Sequence, residues 1–209
     1  MVLDTSRYDA AYFGDTIESG GLRDINGYTS YLERIKKNRF DEGQESFPYN
    51  SQVHDLLTKF ESINLSNFTF LDIGGAVGWL GDYLKNKRNA LSYDVLDVSN
   101  WCFRNKVPEV DNFIEGDART VLPTLGRNAY DVIISTQFLE CIDDADLPDL
   151  IDNMNRVAQR QQIHMITETF TDLQVRTNYN VKTLQEWSLL GFENQTRLVS
   201  WNTGQVLVV

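Results

Sequence analysis

The sequence predicts an α/β fold: a three-layer sandwich around a seven-stranded, mostly parallel sheet, with a helical N-terminal extension. From residue 63 onward, short β-type runs alternate with helical patterns, the arrangement that right-handed βαβ crossovers produce. The run YDVIIS is continuously apolar, as a strand buried on both faces should be. The last two β-type runs have no helix between them, only the turn signal NTG, so they should close as an antiparallel hairpin.

The elements follow in order. Residues 1–62 contain no convincing strand and many aromatics. Their one helix-like segment, SQVHDLLTKF, starts at Ser51, a good N-cap. They read as a helical extension or lid packed on a core of residues 63–209. In the core, strand FTFLDI precedes helix GWLGDYLKNK, and ALSYDVLDV precedes SNWCFRNK. DNFIEG then leads to ARTVLPTL, and YDVIIST to DLPDLIDNMNRVAQ. Last come QIHMITE with VKTLQEWSLL, then the pair FENQTRLVSW and QVLVV.

Composition narrows the function. A chain of 209 residues with 42% hydrophobic and 23% charged residues suits one globular α/β core. No apolar run reaches the roughly 18 residues that span a bilayer, and MVLDTSRYDA lacks the features of a signal peptide, so a cytoplasmic protein is expected. Cys102 and Cys141 stand in no metal-like spacing and read as reduced thiols. The net charge of -11 opposes general adhesion to nucleic acid. Two basic runs, RIKKNRF and KNKRN, read first as solvated helix faces.

The stretch LDIGGAVGWL (71–80) places Asp72 and three glycines directly after the first strand. Glycine there lets backbone approach a ligand, and the helix expected to begin near Gly78 offers free N–H groups. The dinucleotide fingerprint G-x-G-x-x-G fails from Gly74, because Ala76 and Trp79 occupy its other two glycine positions. Asp72-x-Gly74-x-Ala76-x-Gly78 instead resembles the first motif of class I S-adenosylmethionine-dependent methyltransferases, commonly acid-x-Gly-x-Gly-x-Gly, with Ala76 departing from it.

Three further strand ends extend the resemblance. Asp97, followed by Val98, closes the second strand where the family keeps an acid for the ribose hydroxyls; Asp94 competes if the boundary shifts. Asp117 and Ala118 in IEGDAR match the family's Gly-Asp-Ala turn, whose acid accepts from the adenine amino group. STQFLECI is similar to the segment beneath the cofactor, with Phe138 packing against it. The resemblance thus implies S-adenosylmethionine bound by Asp72, Gly74, Gly75, Gly78, Asp97, Val98, Asp117, Ala118 and Phe138, with Tyr12 from the lid. Tyr12, Phe13 and Tyr28 equally suit plain core packing. Asp72 could instead cap its own turn, and Asp97 and Asp117 the helices that follow. Gly81 reads as a close-packing position.

An activated sulfonium needs mainly alignment, which contributes about 7–11 kcal/mol, so no fixed catalytic residue is demanded. Candidate bases are Glu168 at the fifth strand's outlet and His54; Glu140 is weaker, and His164 reads as a hydrogen-bonded core histidine. The chain lacks the Pro-Pro-aromatic and Pro-Cys signatures of the resembled fold's DNA enzymes. The acidic run DDADLPDLID reads as an N-cap and first-turn acids rather than a metal site, so no metal is expected. The expectation is methyl transfer to oxygen or nitrogen of a small-molecule acceptor. A cofactor-binding regulatory or assembly protein without transferase activity, and a methyltransferase of RNA or protein, remain alternatives.

Overall fold

The computed structural model describes residues 65–166, 180, 182–200 and 205–209. The expectations placed on residues 1–62, on Glu168 and on the NTG turn lie outside them. Seven strands form one sheet: β1 (Thr69–Ile73), β2 (Ser92–Asp97), β3 (Asn112–Glu115), β4 (Tyr130–Thr136), β5 (Ala158–Ile166), β6 (Arg197–Ser200) and β7 (Val206–Val208). Their order is β3-β2-β1-β4-β5-β6-β7. Every pairing is parallel except the last, β6 with β7, as the missing helix between those runs requires. Among the described residues, four α-helices belong to the connections: α1 (Asn100–Arg104), α2 (Ala118–Val121), α3 (Leu147–Val157) and α4 (Leu184–Ser188).

Strand periodicity divides the core in two. Phe70, Tyr93, Val95, Val132, Ile134, Ile163 and Val199 point to one face, where Leu80, Tyr83 and Leu84 cover them. Leu71, Ile73, Leu96, Ile133, Ile166 and Leu198 point to the other, beneath α3 and α4. On α3 the buried Leu147, Leu150, Ile151, Met154 and Val157 recur at three- and four-residue spacing, and so form a single apolar stripe. Among the described residues no helix is long and apolar enough to cross a membrane.

Three boundaries depart from expectation. The helix expected over 78–87 is a series of turns followed by a π-helical turn, Tyr83–Lys87. Gly78 lies at φ +82°, outside the helical region, and the N–H of Arg88 reaches back to the Tyr83 carbonyl at 3.1 Å. The fifth strand starts at Ala158 rather than Gln162, cutting α3 short at Val157. There Ala158 pairs with Tyr130, while the Asn194 side-chain amide donates to the carbonyls of Asn155 and Ala158. Strand β6 starts at Arg197 because Asn194 and Gln195 adopt positive φ (57° and 52°), a turn rather than a strand.

Candidate functional site

At the carboxyl ends of β1, β2 and β3, neighbours in the sheet, stand the three acids singled out in the sequence: Asp72 is the penultimate residue of β1, Asp97 the last of β2, and Asp117 lies two residues past β3. Parallel strands present their carboxyl ends on one edge, so the three outlets share that edge. Two backbone bonds stitch them together: Gly74 N–H to the Leu96 carbonyl (2.8 Å) and Gly116 N–H to the Asp97 carbonyl (2.9 Å). Asp94, the competing acid, sits in mid-strand. Its carboxylate accepts from Tyr130 Oη at 2.8 Å and from Asn112 Nδ2 at 3.1 Å.

Asp72 is fully buried. Its Oδ2 accepts a 2.7 Å bond from the Tyr93 hydroxyl, whereas Oδ1 is buried with no hydrogen-bond partner among the described residues. Burial pushes this carboxyl up to about 7; the Tyr93 bond opposes the rise and the nearby Asp97 charge adds to it. The alternative of Asp72 capping its own turn is not what forms, since its bond crosses from β1 to β2.

Asp97 faces backbone donors. Its Oδ2 accepts from Ala76 N–H (3.0 Å) and its Oδ1 from Ser99 N–H (2.9 Å). Burial raises its pKa, and the bonds from Ser99, Ala76 and Val98 counter the rise. It does not cap α1: Ser99 does, accepting from Cys102 N–H at 3.1 Å. The carboxylate therefore ties the β2 outlet to the glycine loop and pins Ala76 at φ +50°, a left-handed conformation that ordinarily favours glycine.

Asp117 caps α2 through Arg119 N–H at 2.9 Å. Burial alone would raise its pKa, but the Arg119 guanidinium, with Nη2 2.6 Å from Oδ2, overcomes this and holds it low. The capping reading of Asp117 is thus the one the structure shows. Ala118 is buried behind it.

The glycines divide by what surrounds them. A Cβ on Gly75 would lie 2.7 Å from Asp72 Cγ, and one on Gly74, at φ +70°, 2.8 Å from the Phe138 ring. These two let the Asp72 and Phe138 side chains pack directly on the loop backbone. Gly78 faces inward instead: a Cβ there would meet Val110 Cγ2 at 2.2 Å, and its N–H bonds the Gly75 carbonyl at 2.9 Å. The free helix N-terminus expected at Gly78 is therefore absent. Gly81 packs on Glu109, where a Cβ would approach to 2.8 Å.

Among the bases, His164 is fully buried and neutral, with burial lowering its pKa to about 3. Its Nδ1 lies 2.9 Å from Ser135 Oγ and its Nε2 3.2 Å from Gln162 Oε1, so Nε2 donates and Nδ1 accepts. Gln162 continues to Asn155 Oδ1 (2.7 Å), forming a polar ladder from the sheet to α3. Glu140 is also fully buried. His54, Glu168 and Tyr12 lie outside the described residues.

Sequence reading missed Tyr93 and Arg119. Tyr93 is visible only through the register of β2 against β1. Arg119 had a local signal, a cation two positions after an acid at a helix start. The acidic run fits its reading in part: Asp149 lies in the first turn of α3, but Asp146 occupies the N-cap without capping it and instead accepts from Arg119 Nη1 at 2.5 Å. Of the basic run KNKRN, Lys85 pairs with Asp111 at 2.7 Å and Arg88 bonds the Tyr83 hydroxyl at 2.8 Å.

The donor set suits an adenosyl amino acid. Carboxylates at the second and third outlets are acceptors that would suit hydroxyl and amino hydrogens, and Asp72 Oδ1, buried without a partner among the described residues, would suit an ammonium group once its carboxyl is ionised.

Comparison with known proteins agrees with this geometry. The YcgJ protein from Bacillus subtilis superposes with a TM-score of 0.52 at 15% identity, covering 66% of each chain, and so shares the fold. A SAM-dependent methyltransferase from Archaeoglobus fulgidus aligns at 17% identity over 63% of this chain and 55% of its own (TM-score 0.47). An S-adenosylmethionine-dependent methyltransferase from Mesorhizobium loti aligns at 15% over 53% and 49% (TM-score 0.44). The chain spans about half the length of these last two. No curated protein sequence matches significantly. Residues 40–207, most of the chain, match the family described as Methyltransferase domain, and it is to this family that the chain belongs.

Proposed function

We propose that the protein is an S-adenosylmethionine-dependent methyltransferase that methylates oxygen or nitrogen of a small-molecule acceptor. The observation that carries the reading is the alignment of Asp72, Asp97 and Asp117 at the carboxyl ends of three adjacent strands, beside the loop that carries Gly74, Gly75 and Gly78. S-adenosylmethionine supplies an activated methyl group on its sulfonium. The chain's own part is to bind and orient. Asp97 offers its remaining acceptor capacity to the ribose hydroxyls, Asp117 its own to the adenine amino group, and Asp72 its unpartnered oxygen to the amino-acid end. Gly74 and Gly75 let Phe138 and Asp72 pack directly on the loop that joins β1 to the turns after it. The net charge of -11 favours a small acceptor over a polyanion.

Ala76 in place of the usual glycine, together with a His164 that stays buried and neutral, favours a second reading: a cofactor-binding regulatory or assembly protein. Calorimetric titration with S-adenosylmethionine tests the first claim, and absence of heat at millimolar ligand removes it. Asp97→Ala is expected to lower affinity at least tenfold, since hydrogen bonds to a charged group are worth about 1.5–3 kcal/mol. Formation of S-adenosylhomocysteine with any member of an acceptor panel selects transferase over regulator.

A further inference from the structure

The side chain that occupies the candidate nucleobase acid has no role in the reading above. Arg119 donates to Asp117 three times, through its backbone N–H (2.9 Å to Oδ1), through Nε shared between both oxygens (3.1 Å each) and through Nη2 (2.6 Å to Oδ2). A carboxylate has about four acceptor sites, so three donor hydrogens leave one open. The fork of a guanidinium also fixes the carboxylate plane, which a point-charge ammonium does not.

The guanidinium is itself held from behind. Its Nη1 reaches Asp146 Oδ2 at 2.5 Å, across a hollow of about 110 Å³ lined by Ala118, Arg119, Asp146, Asp149, Leu150 and Asn153. Asp146 stands where a helix cap belongs and makes no capping bond, so its carboxylate is committed to Arg119. Both acids and the arginine between them are partly shielded, with side-chain exposures of 21% for Asp117, 19% for Arg119 and 37% for Asp146. A pair formed only by sequence neighbours on open surface would be free to swing. Anchored on two sides, this one is not.

We infer that Arg119 is a positioning residue for base recognition: held by Asp146, it orients the Asp117 carboxylate so that a single acceptor site remains for a purine amino group. The inference rests on the cofactor reading above and adds to it a specificity device. A base lacking the amino group would leave that acceptor site unpaired and be bound more weakly.

The test compares S-adenosylhomocysteine with its 6-desamino analogue, in which hydrogen replaces the amino group and which differs at that group alone, by calorimetry on the full chain. Wild type is expected to prefer the adenine form strongly. Arg119→Ala should reduce that preference about tenfold or more, chiefly by weakening the adenine form. Arg119→Lys, which keeps a cation without the fork, should recover only part of it. A merely structural role would lower the melting temperature and leave the ratio of the two affinities unmoved, and that result overturns the inference. Should Arg119→Ala not fold, Asp146→Asn, which loosens only the rear anchor, carries the same prediction in smaller measure, and an unmoved ratio there overturns it equally. Failure of wild type to bind either nucleoside sinks the underlying cofactor reading; binding with an unchanged ratio sinks this inference alone.

Discussion

A methyl group at Gly78 would lie 2.2 Å from Val110 Cγ2, on a backbone already at φ +82°. The left-handed conformation costs a non-glycine residue about 1–2 kcal/mol, and forced overpacking typically about 1–3 more. Gly78→Ala is therefore expected to destabilise the protein by about 2–5 kcal/mol, read as a lowered urea midpoint. The cause is damage to the interior, because Gly78 faces the packed side of the sheet. The sequence announced that backbone freedom was needed at 74–78. It did not tell that Gly78 serves the core, because that depends on Val110, a residue brought in from the far side of α1. The acids were legible for a different reason. A strand end is fixed by where the apolar run stops, and Asp97 and Asp117 each stand there. Arg119 was hidden because its significance comes from Asp146, which only the placement of α3 supplies.

Local chemistry sets the short elements one by one. Helix α4 has five residues and a full capping box: Thr183 accepts from Glu186 N–H at 3.2 Å, and the Glu186 carboxylate accepts from Thr183 N–H at 2.8 Å. So short a helix leans on its cap, and it carries the fully buried Trp187 into the core. Thr183→Ala should cost about 1 kcal/mol in denaturant unfolding, with Thr183→Ser close to wild type. Strand existence and direction were legible throughout the core, since period-two burial and missing or present helices constrain them strongly. Helix length was less so. Residues 78–87 carry a helical apolar spacing, yet Gly78 and Gly81 let the chain turn sharply to seat Tyr83 and Leu84. At 158–161 the polar Gln159, Arg160 and Gln161 disguised a strand whose pairing to β4 is a long-range fact.

Across the whole molecule, two buried groups on opposite faces of the sheet act on stability in opposite senses. Native Asp72 keeps its proton up to about pH 7, whereas an unfolded carboxyl loses it near 3.8, so stability falls as pH rises through that window. Native His164 stays neutral down to about pH 3, whereas an unfolded imidazole gains a proton near 6.5, so stability rises with pH from 3 to 6.5. Each slope approaches about 1.4 kcal/mol per pH unit, and between pH 4 and 6.5 they offset. Asp72→Asn should leave a stability that climbs with pH over that range, and His164→Gln one that declines. Chemical denaturation at pH 5 and pH 6 reads both, and pH profiles parallel to wild type in the two variants contradict the assignment.

Strand β1 lies between β2 and β4, and Thr69 bonds Asp131, 62 positions later. Closing so long a segment is slow compared with forming a local helix or hairpin. Gly74, which must clear Phe138 just past β4, is part of that late closure. A nascent fragment ending before Tyr130 thus leaves β1 paired on one edge alone, to β2, and lacks the Phe138 ring that packs against Gly74.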